Sequence, residues 1–345
     1  MERPEFAEAS AQPIDAAALA DYLQRQLGGS WQGLHVRKFA GGQSNPTYRV
    51  ESGERALVLR RKPSGTLLPT AHMIEREYKI MSALGPSDVP VPKLRLYCSD
   101  ASVIGSEFFV MDYVSGRIFW DPTLPEVAPA QRRAIYSEMA RVLACLHRVD
   151  YTAVGLADYG KTGNYFARQI KRWSQQYEAA STDPLRAMDA LMRWLPANIP
   201  DDDTTSLVHG DYRLDNMIFH PTEPRVLAVL DWELSTLGHP LADLAYSCIP
   251  YHLDAPGRQP LELAAQSGSG IPSEAEYLAD YFRLSARTQG LDMGFYLAFS
   301  LFRSASILQG VYKRGLSGNA SSGEEAIGYR ERVVKVAEKA VTFMR

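Results

Sequence analysis

The chain has 345 residues, with 37 basic against 40 acidic side chains for a formal charge of −3, and 46% hydrophobic and 22% charged residues. That length suggests two domains or lobes, and the composition excludes a disordered or collagen-like chain. The near-neutral balance leaves no electrostatic footprint for a dedicated nucleic-acid binder. Apolar runs such as 226–230 fall far short of the ~20 residues that cross a bilayer, so neither a membrane span nor a membrane partner is expected. The first ten residues carry acids and no apolar core segment, unlike a secretory signal. Cys98, Cys145 and Cys248 are far apart and form no CxxC pair. The expectation is a reducing, cytoplasmic location without a structural metal.

In chain order, apolar positions at helical spacing over 14–27 stop at Gly28-Gly29 and predict a leading helix. Short extended segments follow at 34–39, 47–50 and 56–60, separated by glycine turns, and read as an antiparallel meander. Over 71–84, Ile74, Tyr78 and Met81 fall at i, i+4 and i+7 before Gly85-Pro86, which predicts a helix with one buried stripe. Strand candidates at 93–98 and 107–111 precede a break at 112–116. Beyond it, helical patterns at 131–148, 163–180, 184–195, 273–289 and 293–314 surround one β-rich island at 206–231. Polar, glycine-rich loops are expected at 266–270 and 317–325.

Chemistry concentrates in that island. Residues 206–216 read SLVHGDYRLDN, followed by apolar 217–219, a turn at 221–224, and VLAVLD ending at Asp231. If 217–219 pairs with 226–230, the hairpin brings Asn216 and Asp231 to one end, beside the loop that carries Asp211. Hard oxygen ligands suit Mg²⁺, which completes its shell with phosphate oxygens and water; Asn216 and Asp231 fit that role. Phosphoryl transfer needs a further carboxylate to orient the attacking hydroxyl and take its proton, and Asp211 fits that one. An isolated HGD would be a structural turn. The complete spacing favours the catalytic assignment.

The run His209-Gly-Asp-Tyr-Arg-Leu-Asp-Asn216 with Asp231-Trp-Glu233 resembles the catalytic and metal-binding loops of the aminoglycoside phosphotransferase and choline kinase group, relatives of protein kinases. Together with the REYKIMSAL and LDWELSTLGHPLADLAYS segments it is most similar to the kinase domain attached to acyl-CoA dehydrogenases. The resemblance covers roughly residues 30–315. It implies an α+β, protein-kinase-like two-lobe fold, with a five-stranded antiparallel sheet plus helix in the N-lobe and a mainly helical C-lobe. The implied division is 1–111 as N-terminal lobe, 112–116 as hinge and 117–345 as catalytic and substrate lobe, with ATP between the lobes.

The resemblance also implies parts that the first lobe should hold. A phosphate-covering loop falls at Gly41, Gly42, Gln43 and Ser44, although Asn45-Pro46 stands where a third glycine would be. The strand 56–60 takes the place of the kinase strand whose lysine steadies the non-transferred phosphates, with Arg60 in the lysine position and Arg61 and Lys62 competing for the role. Arginine keeps the charge but is not interchangeable with lysine. Its partner acid is expected to be Glu77, which shares a helix face with Met73, Met81 and Leu84, whereas Glu75 faces Lys79. The carbonyl of Asp112 and the amide of Val114 are implied on the adenine edge, and Asp243 as an acid bracing the catalytic loop.

The expected activity is ATP- and Mg²⁺-dependent transfer of the γ-phosphate to the hydroxyl of a small-molecule acceptor. The resemblance points to a 4-hydroxyacyl-CoA or related hydroxy acid, with an acyl-CoA dehydrogenase as functional partner. An amino alcohol or aminoglycoside kinase, and an inactive nucleotide-binding scaffold, remain alternatives. Arg303 and Tyr312 on the last aromatic helix are candidate acceptor contacts, though core packing is the default for that helix. Residues 155–162 match GxxxxGK[ST], but follow a helix and not a buried strand, so a P-loop is not expected. His147, His209 and His220 lack zinc-site spacing.

Overall fold

A computed structural model of the chain describes residues 6, 14–40, 45–63, 73–254, 259–266, 268–287, 291–316 and 325–345. The elements in order are α1 (Ala16–Leu27), β1 (His35–Lys38), β2 (Thr47–Ser52), β3 (Arg55–Arg61), α2 (Ile74–Leu84), β4 (Leu94–Cys98), β5 (Phe108–Asp112), α3 (Pro129–Arg148), α4 (Tyr165–Ala180) and α5 (Arg186–Ala197). They continue with β6 (Ser206–Val208), β7 (Met217–Phe219), β8 (Val226–Val229), β9 (Thr236–Gly238), α6 (Pro240–His252), α7 (Leu261–Gln266), α8 (Glu274–Ser285), α9 (Gly294–Leu316) and α10 (Glu325–Val341). Two compact units result: residues 1–117 with 217–233, and residues 118–216 with 234–345. The expected continuous division has no counterpart for 217–233, which groups with the first unit.

The first unit is an antiparallel sheet in the order β1-β2-β3-β5-β4 with α1, α2 and the β7–β8 hairpin. Asp15 caps α1 by accepting the amides of Ala17 and Ala18, each at 3.0 Å. Leu19 and Leu23 of that helix are fully buried and join a core with Tyr48, Val50, Leu57, Leu59, Phe108 and Val110. Burial on α2 falls on Ile74, Glu77, Ile80, Met81 and Leu84. Tyr78, expected in the buried stripe, is half-buried instead, its ring tilted against Tyr97 and Phe109.

What ties the hairpin to this unit is backbone pairing just after β5. Arg117 and Phe219 exchange both amide–carbonyl bonds at 2.8 Å. The Arg117 guanidinium also donates to the carbonyls of His220 and Glu223. Gly116 permits the approach: a Cβ there would stand 2.2 Å from the Phe219 carbonyl oxygen. Within the hairpin, Met217 pairs with Val229, so Asn216 and Asp231 adjoin the same hairpin end, as the pattern predicts.

The second unit is mainly helical, with α10 packed on α9 and α3 on α8, around a two-stranded β6–β9 ladder. Strand β9 and helices α6, α7 and α10 are additional to the elements expected from the sequence. His147 of α3 is buried, with Nδ1 2.7 Å from the Tyr281 hydroxyl, Nε2 3.5 Å from Asp243, and Arg287 adding positive charge nearby. Burial holds its imidazole below the ordinary histidine range. The ring is therefore neutral when folded but takes a proton in the unfolded chain below about pH 6.5. The unfolded state binds more protons there, so stability falls with falling pH. The unfolding free energy from urea titration should fall more steeply between about pH 7.5 and 5.5 in the parent than in His147→Gln, by up to ~1.4 kcal/mol per pH unit. Equal slopes would contradict this assignment.

Candidate active site

In the second unit, the loop between β6 and the turn Leu214–Asn216 carries the HGDYRLDN run. Asp243, near the start of α6 and almost fully buried, accepts the His209 amide at 2.5 Å and the Gly210 amide at 2.8 Å. That is the bracing expected of it. The Gly210 carbonyl in turn accepts from the Arg303 guanidinium at 2.6 Å, and Asp211 N–H donates to His209 Nδ1 at 3.2 Å. Both sides of the Gly210 peptide unit are thereby engaged.

Asp211 presents its carboxylate from this braced loop. One oxygen accepts the Tyr246 hydroxyl at 2.5 Å, and the other accepts Asn216 Nδ2 at 3.0 Å. Arg213 Nε stands 3.3 Å from Asp211 Oδ2 and 3.3 Å from Asp215. Because Asn216 donates from Nδ2, its amide oxygen is the atom suited to a hard cation.

Gly210 is required by geometry. Its φ is +84°, and a Cβ would lie 2.6 Å from the Leu234 carbonyl oxygen. Gly210→Ala should lose at least about 2 kcal/mol of stability in urea unfolding, and a variant within about 0.5 kcal/mol of the parent would refute the steric argument.

In the first unit, a second polar cluster surrounds Arg60 of β3. Arg60 Nε is 2.8 Å from Glu77 Oε2, Nη2 is 2.8 Å from Asp231 Oδ1 and 3.9 Å from Glu233, and Nη1 donates to Thr47 Oγ1 at 3.3 Å. Asn45, fully buried, donates to Glu77 at 2.6 Å. Burial pushes Glu77 up to about 7 against the pull of Arg60 and of the Asn45 amide. Desolvation works against the Arg60 charge, but Glu77 and Asp231 more than offset it and raise its pKa. Asp231 has φ +63°, a left-handed conformation that Asp tolerates better than most residues. The Trp232 indole donates to the Val229 carbonyl at 3.0 Å and anchors the turn that follows.

Of the basic candidates, Arg60 is the one seen to pair with Asp231. Arg61 points to the Tyr48 ring, and Lys62 pairs with Glu107 at 3.0 Å and Glu75 at 3.6 Å. Gly41, Gly42, Gln43 and Ser44 lie outside the described residues. Asp112 ends β5 and pairs through its side chain with Arg95, while Val114 lies two residues beyond in irregular backbone. Arg303, a candidate acceptor contact, is buried and committed to the Gly210 carbonyl. Tyr312 is half-buried on α9. The literal GxxxxGK[ST] run lies in turns between α3 and α4 and follows no strand, so it lacks the setting of a P-loop. Asn45, Glu233 and Tyr246 join the site without being expected there, and of the three Glu233 alone lies in a recognisable run, Asp231-Trp-Glu233.

Comparison with known proteins gives a match of residues 35–278 to the model of the phosphotransferase enzyme family. Acyl-CoA dehydrogenase family member 10 from Mus musculus is 49% identical over 318 residues, which is 90% of this chain and 29% of that protein. The chain spans less than half the length of the curated relatives it matches. A crystal structure of a provisionally assigned aminoglycoside phosphotransferase from Ralstonia eutropha is 48% identical, covers 96% of this chain and 98% of its own, and has a TM-score of 0.87. A spectinomycin phosphotransferase in complex with ADP and spectinomycin shares the fold, at 14% identity, 96% and 99% coverage and a TM-score of 0.63. The fold is thus of the aminoglycoside phosphotransferase, protein-kinase-like type. Among the described residues no helix is long and apolar enough to cross a membrane.

Proposed function

The chain belongs to the phosphotransferase enzyme family, and from that premise we propose that it is a cytoplasmic small-molecule kinase transferring the γ-phosphoryl group of ATP to an acceptor hydroxyl. One observation carries the reading: Asp211 is held at both carboxylate oxygens, by Tyr246 and Asn216, on a loop whose amides Asp243 fixes. A carboxylate so placed orients an acceptor O–H and takes its proton. The acceptor oxygen bonds to the γ-phosphorus, the bond to the bridging oxygen breaks, and a phosphate ester and ADP leave. Arg60, paired with Glu77, would steady the non-transferred phosphates. Asp112 and Val114 would present backbone to the adenine, and residues 41–44 would cover the phosphates.

The oxygen donors of Asn216 and Asp231 suit Mg²⁺, and two protein ligands are what that ion takes when phosphate oxygens complete its shell. When bound it neutralises the β- and γ-phosphate charge. Asn216 contributes by keeping its amide N–H on Asp211, which turns its oxygen away from that carboxylate.

For the acceptor, the 49% identical relative named as an acyl-CoA dehydrogenase supports a 4-hydroxyacyl-CoA or related hydroxy acid, with a dehydrogenase as functional partner. An amino alcohol or aminoglycoside is the second reading, supported by the name of the 48% identical structure. Charge counts against it in the stretch that the sequence offered for a polycation. Glu276 pairs with Arg133 at 2.6 Å and Asp280 with Arg283 at 3.2 Å, so these two acids already have cationic partners, and Glu274 lies 2.8 Å from His252 Nε2.

The test is ADP release from Mg-ATP with hydroxyacyl-CoAs, free hydroxy acids, choline and an aminoglycoside, beside an Asp211→Ala control. Turnover on the acyl class, lost about a hundred- to ten-thousandfold in the variant, is expected. Turnover on choline or the aminoglycoside alone would transfer the assignment to the second reading. ATP binding without any turnover would favour an inactive scaffold.

A further inference from the structure

Tyr246 lies one helical turn beyond Asp243 on α6, and the two residues engage the same loop differently. Asp243 accepts backbone amides of His209 and Gly210, whereas the Tyr246 hydroxyl reaches the side chain of Asp211. Positions i and i+3 of a helix share a face, so one rigid element sets both the path of the loop and the direction of its carboxylate. The Tyr246 ring is itself fixed: the Arg303 guanidinium carbon lies 5.4 Å from its centroid, and 5.5 Å from the Trp173 ring. Arg303 also donates to the Gly210 carbonyl. Helices α4, α6 and α9 thus converge on one peptide unit and one carboxylate.

We infer that Tyr246 is a positioning residue for phosphoryl transfer, holding one oxygen of Asp211 so that the other faces the acceptor hydroxyl. The inference rests on the proposed role of Asp211. Asn216 Nδ2 at 3.0 Å and Arg213 Nε at 3.3 Å both approach Oδ2, and Tyr246 supplies the hydrogen bond on Oδ1 that fixes which oxygen they meet. With Oδ1 committed to Tyr246, the acceptor proton goes to Oδ2, the oxygen that Asn216 Nδ2 and Arg213 Nε also approach. Burial and the adjacent Asp211 charge raise the phenol's pKa, so Tyr246 stays a donor throughout the cycle and passes no proton to substrate. It fixes geometry and leaves the base chemistry to Asp211.

The test is a double-mutant cycle on the full chain, read as ADP release from Mg-ATP with water as acceptor and with any hydroxylated acceptor that turns over. Tyr246→Phe keeps the ring against Arg303 and removes only the hydroxyl. It should lower kcat about ten- to a hundredfold, the scale of a misaligned catalytic group, with KM for ATP unchanged. In an Asp211→Asn background the same change should cost nothing further, because Tyr246 acts only through that carboxylate. Site-specific 3-fluorotyrosine at 246, which keeps ring and hydroxyl, should restore kcat to within about twofold of the parent, and it keeps the test readable if the Phe variant folds poorly.

Full activity of Tyr246→Phe alongside an inactive Asp211→Asn would overturn the inference and leave the kinase reading standing. A loss in Tyr246→Phe that persists in the Asp211→Asn background would overturn it too, by revealing a merely structural role. Undiminished ADP release by Asp211→Asn alone would remove the reading on which it rests.

Discussion

Asp243→Ala should lower the unfolding free energy of the second unit by about 3–5 kcal/mol, the range found when one partner of a buried, hydrogen-bonded charge is removed. The carboxylate is 1% exposed and accepts two consecutive amides, from His209 and Gly210. Alanine would leave both N–H groups buried without an acceptor, each at a cost of about 1–3 kcal/mol. Burial alone would push the Asp243 pKa up, yet the His147 ring and the Gly210 amide hold it below the usual carboxylate range. A depressed folded pKa contributes stability that is present above the ordinary Asp value near 3.9 and is lost as pH falls through the folded value. Asp243→Ala should therefore show its full deficit at neutral pH and a smaller one in strong acid. Asp243→Asn offers one amide oxygen to two donors and should fall between parent and alanine variant. Urea unfolding at pH 7 that separates Asp243→Ala from the parent by less than about 1 kcal/mol would refute the bracing role.

Much of this site was legible because its signals are local. The HGDYRLDN run, the hairpin turn at 221–224 and the acid at the strand end lie within some twenty-five residues, and the two apolar runs flanking the turn pair as β7 and β8. Glu77 was legible from helix geometry, since it falls on the same face as Met81 and Leu84. What escaped depends on tertiary context. Helix α6 is buried nearly all round, from Pro240 through Tyr251, so it shows no 3.6-residue stripe to read. Tyr246 meets Asp211 across 35 positions, and Arg303 meets Gly210 across 93; no local pattern encodes either bond. Arg303 looked like an acceptor contact because a basic residue in an aromatic helix resembles an anion site, but packing commits it to a backbone carbonyl. Asn45 looked like a break in a glycine loop and is instead a buried donor to Glu77. Helix α10 differs: Val333, Val336, Ala337 and Ala340 are buried at helical spacing, a stripe that is present in the sequence.

Removing the Arg60 guanidinium should be as damaging in the first unit, and its deficit too should shrink in acid, here because a buried acid with a raised pKa takes a proton. Arg60→Ala removes the cation paired with Glu77, which is 1% exposed, and leaves Asp231 and Glu233 close to the vacated position. An uncompensated buried charge costs about 3–5 kcal/mol. Glu77 can avoid that cost by taking a proton, which its position at about 7 already favours and the loss of Arg60 favours further. A raised folded pKa gives stability that is fully present below the ordinary Glu value near 4.3 and is lost as pH rises through the folded value. The melting temperature of Arg60→Ala should therefore approach that of the parent near pH 5 and fall away from it by pH 8. Lysine at 60 places one point charge where the guanidinium spans two carboxylates, so Arg60→Lys should recover part of the loss and not all of it. Adding Glu77→Gln to Arg60→Ala removes the buried acid itself, and the double variant should be more stable at pH 8 than Arg60→Ala alone. If Glu77→Gln instead deepens the defect at pH 8, then packing of the Arg60 side chain, and not its charge, holds this cluster together.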